Sequence, residues 1–214
     1  MKNKLMVSFL ALVLVACGSS GSLELSKQEK EKIKVRVCSH FSLRWEGNME
    51  LRRPSLEDKE AILEMMAEFE QTQSAHDGGF WNANNFVYEE WLEENLQAEA
   101  GLNIPENWVP AIQLVSFDIA GQALGFLNLR LRLNDYLLEN GGHIGYSIRP
   151  SQRGKGYGKE QLRLGLAEAR KQGLERVLIT CDEDNEASRR TILSAGGVYE
   201  NTIDRSQRYW IDLE

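Results

Sequence analysis

The sequence predicts a mixed α/β domain over residues 49–214, and three observations predict it. Strand-like and helix-like segments follow one another in the order β-α-α-β-β-β-α-β-α-β-β, without internal repeats. One strand-to-helix junction is the glycine-rich run Gln152-Arg153-Gly154-Lys155-Gly156-Tyr157-Gly158. The bulk composition, 42% hydrophobic and 27% charged over 214 residues, suits one soluble core with room for a small appendage.

Taken in order, Met49-Glu50-Leu51-Arg52-Arg53-Pro54 reads as a first strand. Ser55, with Asp58 three residues on, reads as a helix start with a reciprocal cap. Ile62, Met65, Met66 and Phe69 then fall on one helical face, and the methionines there are expected to be core. The polar stretch Ser74 to Asn85, with Gly78-Gly79, breaks the pattern before an acidic helix from Phe86 to Ala100 that Gly101 stops. Strands are expected at Pro110 to Ile119 and Ala123 to Leu133, joined through Gly121-Gln122. A loop, Asn134 to Gly142, leads into a strand from His143 to Ile148. A helix from Gly158 to Gln172 presents Leu162, Gly165, Leu166 and Ala169 on one face and ends at Gly173. A strand from Arg176 to Cys181, a short helix from Asn185 to Ala195, and strands near Val198 to Ile203 and Tyr209 to Leu213 complete the domain.

The first 48 residues divide differently. Residues 1–22 look like a secretory leader, with Lys2 and Lys4 ahead of an apolar run too short to span a bilayer. The run ends in Leu14-Val15-Ala16-Cys17 and a Gly/Ser tether, which resembles a bacterial lipobox whose cysteine would carry a lipid. Residues 23–48 read as linker. Trp45-Glu46-Gly47, encoded TGG-GAR-GGN, spells a ribosome-binding sequence upstream of Met49 if the glutamate codon is GAG. Two readings follow: translation from Met49 and a cytoplasmic protein, which is preferred, or a membrane-anchored lipoprotein through Cys17.

Charge excludes one class of partner. Residues 1–48 carry 8 Lys and Arg against 4 Asp and Glu, which leaves 17 basic and 28 acidic residues, net −11, from Met49 onward. No basic face for nucleic acid is expected. An acidic domain steers cationic substrates, although solubility alone explains such a charge. Cys17, Cys38 and Cys181 are too scattered for a disulfide framework, and with His40, His76 and His143 they make no metal constellation.

The glycine-rich loop carries the chemistry. Its glycines let the backbone turn tightly and come close to a ligand. The N–H groups of the following helix, with the helix dipole behind them, form a site for pyrophosphate. A Walker loop needs Gly-Lys-Ser/Thr, and a dinucleotide fingerprint needs GxGxxG; neither fits Gly154-Lys155-Gly156-Tyr157-Gly158. Arg153-x-x-Gly156-x-Gly158 does match the Arg/Gln-x-x-Gly-x-Gly/Ala signature of the GNAT superfamily. GGHIGYSIRPSQRGKGYG, VLITCDEDN and ASRRTILSAGG follow one another as in a bacterial branch of that superfamily, so nearly all of residues 49–214 resembles a GNAT N-acetyltransferase.

The resemblance implies the GNAT fold, a mixed central sheet whose strands splay around a cleft for acetyl-CoA, and direct transfer of the acetyl group to a primary amine of a small molecule or peptide. It implies that Ile148, Arg149 and Pro150 border the pantetheine arm, with an N–H near Ile148 on the thioester carbonyl. It assigns pyrophosphate to the N–H groups of Arg153, Gly154, Lys155, Gly156, Tyr157 and Gly158, and gives Asn185 a bond to pantetheine besides its ordinary role as helix cap. Many relatives protonate the departing thiolate with a tyrosine seven residues after the asparagine; here that residue is Ile192. Ser188, which resembles the serine of the ribosomal-protein acetyltransferases, is the candidate proton donor, against a plain first-turn role. His143 and, in the preceding loop, Glu139 are the candidate bases, and Tyr146 and Tyr157 read as packing residues. Specificity should come from the first two helices and the loop Asp77 to Asn85. The competing readings are an envelope lipoprotein that binds a partner without catalysis, and a CoA-binding module without activity.

Overall fold

The structure is a computed structural model and describes residues 49–213. The lipobox, Cys17, the linker and the third cysteine, Cys38, lie outside the described residues. Seven strands, β1 (Met49–Arg52), β2 (Ala111–Asp118), β3 (Ala123–Arg130), β4 (Ile144–Ile148), β5 (Arg176–Asp182), β6 (Val198–Ile203) and β7 (Ser206–Asp212), alternate with helices α1 (Lys59–Gln71), α2 (Tyr88–Glu99), α3 (Asp135–Glu139), α4 (Tyr157–Lys171) and α5 (Glu186–Ser194). The order follows the expected pattern except for α3, a turn of helix capped by Asn134 inside the expected loop. Among the described residues no helix is long and apolar enough to cross a membrane.

The strands form two antiparallel sheets, β1-β2-β3-β4 and β5-β7-β6. β2 and β3 are buried along almost their whole length, because helices cover both faces of the first sheet. On one face α1 and α2 bury Ile62, Met65, Phe69 and Trp91 against Val115 and Phe126; each such side chain contributes roughly 1.5–3 kcal/mol. On the other, Leu162 of α4 and Ile192 of α5 meet Leu127, Ile144, Ile179 and Ile211. Gly165 lets α4 lie close on β3, since a Cβ there would stand 2.5 Å from a Leu127 methyl. Below it, buried Gln161 donates to Phe126 O (2.6 Å) and accepts from Ser116 Oγ (2.8 Å), which locks the helix to the sheet.

The two sheets meet beside His143. His143 N donates to Leu178 O (2.7 Å), and Leu178 N donates to His143 Nδ1 (2.9 Å). No ladder continues from there between β4 and β5, so the two strands part on the side toward Ile148 and Asp182.

Candidate active site

The parting of β4 and β5 opens a cleft of about 1440 Å³. Hydrogen bonds decide which backbone groups face it. Arg149 N donates to Leu124 O (2.8 Å) and Arg130 N to His143 O (2.8 Å), so the odd-numbered residues of β4 pair with β3. Antiparallel alternation turns the N–H and C=O of Tyr146 and Ile148 the other way, into the opening. The expected Ile148 N–H therefore stands on the free edge. Its carbonyl is taken by Arg153 Nε (2.9 Å).

At the end of β4 the chain makes a 3-10 turn, Pro150–Gln152, and enters the glycine loop. Gly154 (φ +76°) and Gly156 (φ +87°) are left-handed, and a Cβ on either would meet nothing within 4 Å. The loop is therefore uncovered as well as tightly turned. Lys159 N and Glu160 N both find Gly156 O, which leaves the N–H groups of Tyr157 and Gly158 at the open end of α4. These donors and the uncovered loop fit a pyrophosphate group, and the free β4 edge fits an extended amide arm, so the residues present suit acetyl-CoA.

Ile148, Arg153, Gly154, Gly156, Tyr157, Gly158, Asn185 and Ser188 line the cleft. Arg149, Pro150 and the side chains of Arg153 and Lys155 turn elsewhere. Arg149 is 3% exposed, its guanidinium clamped by Glu68 (2.6 Å), Glu64 (3.0 Å) and Ala123 O, so it fastens the strand end to α1 instead of facing the cleft. Pro150 opens the 3-10 turn, and its carbonyl takes Arg153 N (3.3 Å), which removes that N–H from the anion donors. Arg153's side chain bonds Ile148 O and Ser74 Oγ (2.7 Å), tying the loop to the segment after α1. Lys155 turns to Gln152 (2.8 Å) at the surface.

His143 is also misplaced as a base. It is 6% exposed, edge-on to Trp210, and outside the cleft wall. Its Nδ1 lone pair is occupied by Leu178 N–H, so the neutral ring has only an N–H left to offer. Burial, with Arg130 adding like-charge repulsion, pulls its pKa down to about 4. Glu139 ends α3 on the exposed surface and does not reach the cleft.

The structure gives two residues a place in the site, Tyr146, expected to be packing, and His76. Tyr146 Oη lies 3.1 Å from Ser188 Oγ across the opening. Burial pushes the phenol up to about 12, against the pull of its hydrogen bonds with Ser188 and Thr191, so it keeps its proton at neutral pH. Cys181 Sγ joins the same cluster through Ser188, and burial raises its thiol too. Asn185 Oδ1 accepts from Ser188 N (3.1 Å) and so orients the first turn of α5. Ile192 is fully buried in the core.

His76 is the second. It lines the cleft from the loop after α1, stacked on Trp81 with ring centroids 3.7 Å apart. Its Nδ1 lies 2.8 Å from Gly79 O. A carbonyl only accepts, so Nδ1 carries the hydrogen and neutral His76 keeps its lone pair on Nε2. The backbone places this loop firmly: Gln113 Nε2 donates to Gly78 O (2.8 Å), and Gly78 packs so close to Gly145 that a Cβ would stand 2.2 Å from Gly145 O.

Comparison with known proteins agrees with this geometry. Residues 48–198 match the acetyltransferase (GNAT) domain. Among solved structures, the chain is similar to the ribosomal-protein-S5-alanine acetyltransferase from Vibrio fischeri (TM-score 0.58, 17% identity, covering 78% of this chain and 94% of that one). It is similar also to the acetyltransferase-like yncA of Salmonella typhimurium, solved with its cofactor acetyl-CoA (TM-score 0.52, 20% identity, 78% and 95%). A spermidine N-acetyltransferase chimera from Vibrio cholerae and hSSAT is similar at a TM-score of 0.52 and 15% identity, over 78% and 96%. No curated protein sequence matches the chain.

Proposed function

We propose how this chain works from one premise: it belongs to the acetyltransferase (GNAT) family. It is accordingly an acetyl-CoA-dependent acyltransferase, with acetyl-CoA as co-substrate. What we add is the assignment of its residues and the placing of its acceptor. The observation that carries the assignment is the opening between β4 and β5, with the uncovered glycine loop at one end and the Tyr146–Ser188 pair across its middle.

Acetyl-CoA supplies an acetyl group activated as a thioester, with a thiolate as its leaving group. The N–H groups of Gly154, Lys155, Gly156, Tyr157 and Gly158 hold pyrophosphate, and the open edge at Tyr146 holds the amide arm. The Ile148 N–H polarises the carbonyl, a donor fixed before the reaction begins. Ser188, backed by Tyr146, carries the proton for the departing sulfur. His76 Nε2 takes the proton from the attacking amine, in place of His143 and Glu139. Asp77 and Glu94 on the acceptor side give a cationic amine a favourable approach.

The test is CoA release in the presence of acetyl-CoA and a panel of amines, with acetyl-CoA affinity measured separately by calorimetry. Saturable release that needs the amine supports the reading; tight acetyl-CoA binding without release on any amine favours the binding-module alternative. The same reading favours translation from Met49 and a cytoplasmic protein, because acetyl-CoA is made there. Mass spectrometry of the native N-terminus decides it, and recovery of a lipid-modified Cys17 peptide from membranes overturns it.

A further inference from the structure

Arginines in this domain are paired with carboxylates, with few exceptions. Arg52, Arg53, Arg149, Arg163, Arg176, Arg189, Arg190, Arg205 and Arg208 each have a carboxylate within 4.0 Å. Among the described residues Arg130, Arg132, Arg153 and Arg170 do not, and Arg132 and Arg170 are exposed on the outer surface. The other two line the cleft. Arg153 belongs to the glycine loop. Arg130 stands elsewhere, at the last residue of β3, and the reaction as described makes no use of it.

Arg130 is held but only partly used. Its Nη1 donates to Gly141 O (2.7 Å) and Gly142 O (3.2 Å). Nε and Nη2 have no partner among the described residues, and the residue lines the cleft. Partial burial disfavours the charged guanidinium, and the one carboxylate whose field favours it, Asp77, makes no ion pair with it. A half-buried cation with no counter-ion in contact is a ready partner for an anionic group of a ligand.

Its position over β4 is set by Gly145. A Cβ there would lie 3.1 Å from Arg130 Nη2 and 3.3 Å from Gly78 N, so the missing side chain lets the guanidinium and the loop after α1 pack down onto the strand whose free edge borders the cleft. The exposed rings of Phe80 and Trp108, 5.7 Å apart, also line the cleft and offer a surface for an apolar side chain. Asp77 beside the guanidinium complements an ammonium.

From this arrangement we infer that the acceptor carries a carboxylate besides its amine, as an amino acid does, and that Arg130 binds that carboxylate. The inference rests on the acetyltransferase reading and narrows its substrate class. Bidentate, charge-assisted recognition by a planar guanidinium suits a carboxylate, whereas a neutral amide offers one oxygen and no charge.

The experiment compares L-phenylalanine with L-phenylalaninamide as acceptors for the full-length protein, by CoA release, with acetyl-CoA binding followed by calorimetry. The amide has more of its amine neutral at any given pH, so intrinsic reactivity favours it. The expected result is a kcat/KM at least tenfold higher for the acid, a preference that Arg130→Gln erases while acetyl-CoA affinity stays within twofold. The wild-type comparison stands even if the variant fails to fold. Equal or better use of the amide by the wild type overturns the inference, as does a preference that survives in folded Arg130→Gln. Acetylation of neither probe by protein that binds acetyl-CoA also overturns it and leaves the acetyltransferase reading intact. Failure of the wild type to bind acetyl-CoA overturns both.

Discussion

Tyr146 on β4 and Ser188 on α5 meet across the cleft, Oη to Oγ, at 3.1 Å. They come from opposite sides of the opening, 42 residues apart in sequence. Because Tyr146 is held protonated, with its pKa pushed up to about 12 by burial, it is no base at neutral pH, and the pair relays a proton: Ser188 gives one to the leaving sulfur as it takes one from Tyr146, which solvent then restores. Ser188→Ala should lower kcat more than it raises KM for acetyl-CoA, since the hydroxyl matters as the thiolate forms. Tyr146→Phe should show the same pattern, and the double variant should lose little more than the worse single one, because the two act as a unit. Fully additive losses in steady-state kinetics would show two independent roles instead.

The amine's proton goes to His76 in this scheme, so His76→Gln should reduce kcat by about 10²–10⁴ while the affinity for acetyl-CoA is unchanged. Glutamine keeps a donor for Gly79 O but provides no basic nitrogen. Glu139→Gln, at an exposed position outside the cleft, should leave kcat within twofold. Kinetics of the two variants side by side decide between the loop histidine and the glutamate; a loss confined to Glu139→Gln would reverse the assignment.

Much of the fold was legible because it is written in local patterns. Ile62, Met65, Met66 and Phe69 mark α1 by spacing alone, and Gly154 to Gly158 mark a phosphate loop by their lack of side chains. The short helix Asp135–Glu139 was not, since five residues hold too little of a 3.6-residue period to read. Side-chain direction was the larger gap. Arg149 and Arg153 sit beside the loop in sequence, but Glu64, Glu68 and Ser74 of the distant first helix region draw their guanidinium groups away. Tyr146 reads as packing until α5 brings Ser188 to it. The bond between His76 Nδ1 and Gly79 O belongs to the Gly78-Gly79 turn, but no linear signal says that the loop lies over β4.

The glycine loop makes a sharper prediction. Gly156 is the N-cap of α4 at φ +87°, with open space where a side chain would project. Gly156→Glu puts a negative group into the pyrophosphate position and should weaken acetyl-CoA binding more than tenfold, above about 1.4 kcal/mol. Gly156→Asn is the control for backbone strain, because asparagine tolerates the left-handed region better than other side chains. By calorimetry it should retain more affinity than the glutamate variant. Equal losses in two folded variants would trace the effect to the turn and not to charge.

His143 separates stability from catalysis. In the folded protein it is neutral down to about pH 4, because burial opposes the charged ring and Leu178 N–H occupies Nδ1. In the unfolded chain it takes a proton near its ordinary value of about 6.5. The unfolded state therefore binds more protons between these values, and stability rises with pH across that interval. The contribution is fully present above about pH 6.5 and is lost as pH falls toward about 4; the shift amounts to about 3 kcal/mol at most. Chemical denaturation of the wild type should show this acid loss, and His143→Gln, which carries no titrating group, should flatten it. The same substitution weakens the junction beside β4 and β5, so it should lower stability at neutral pH while kcat of the remaining folded enzyme stays within a few fold. A loss of kcat by several orders of magnitude in a stably folded His143→Gln protein would return the histidine to the reaction.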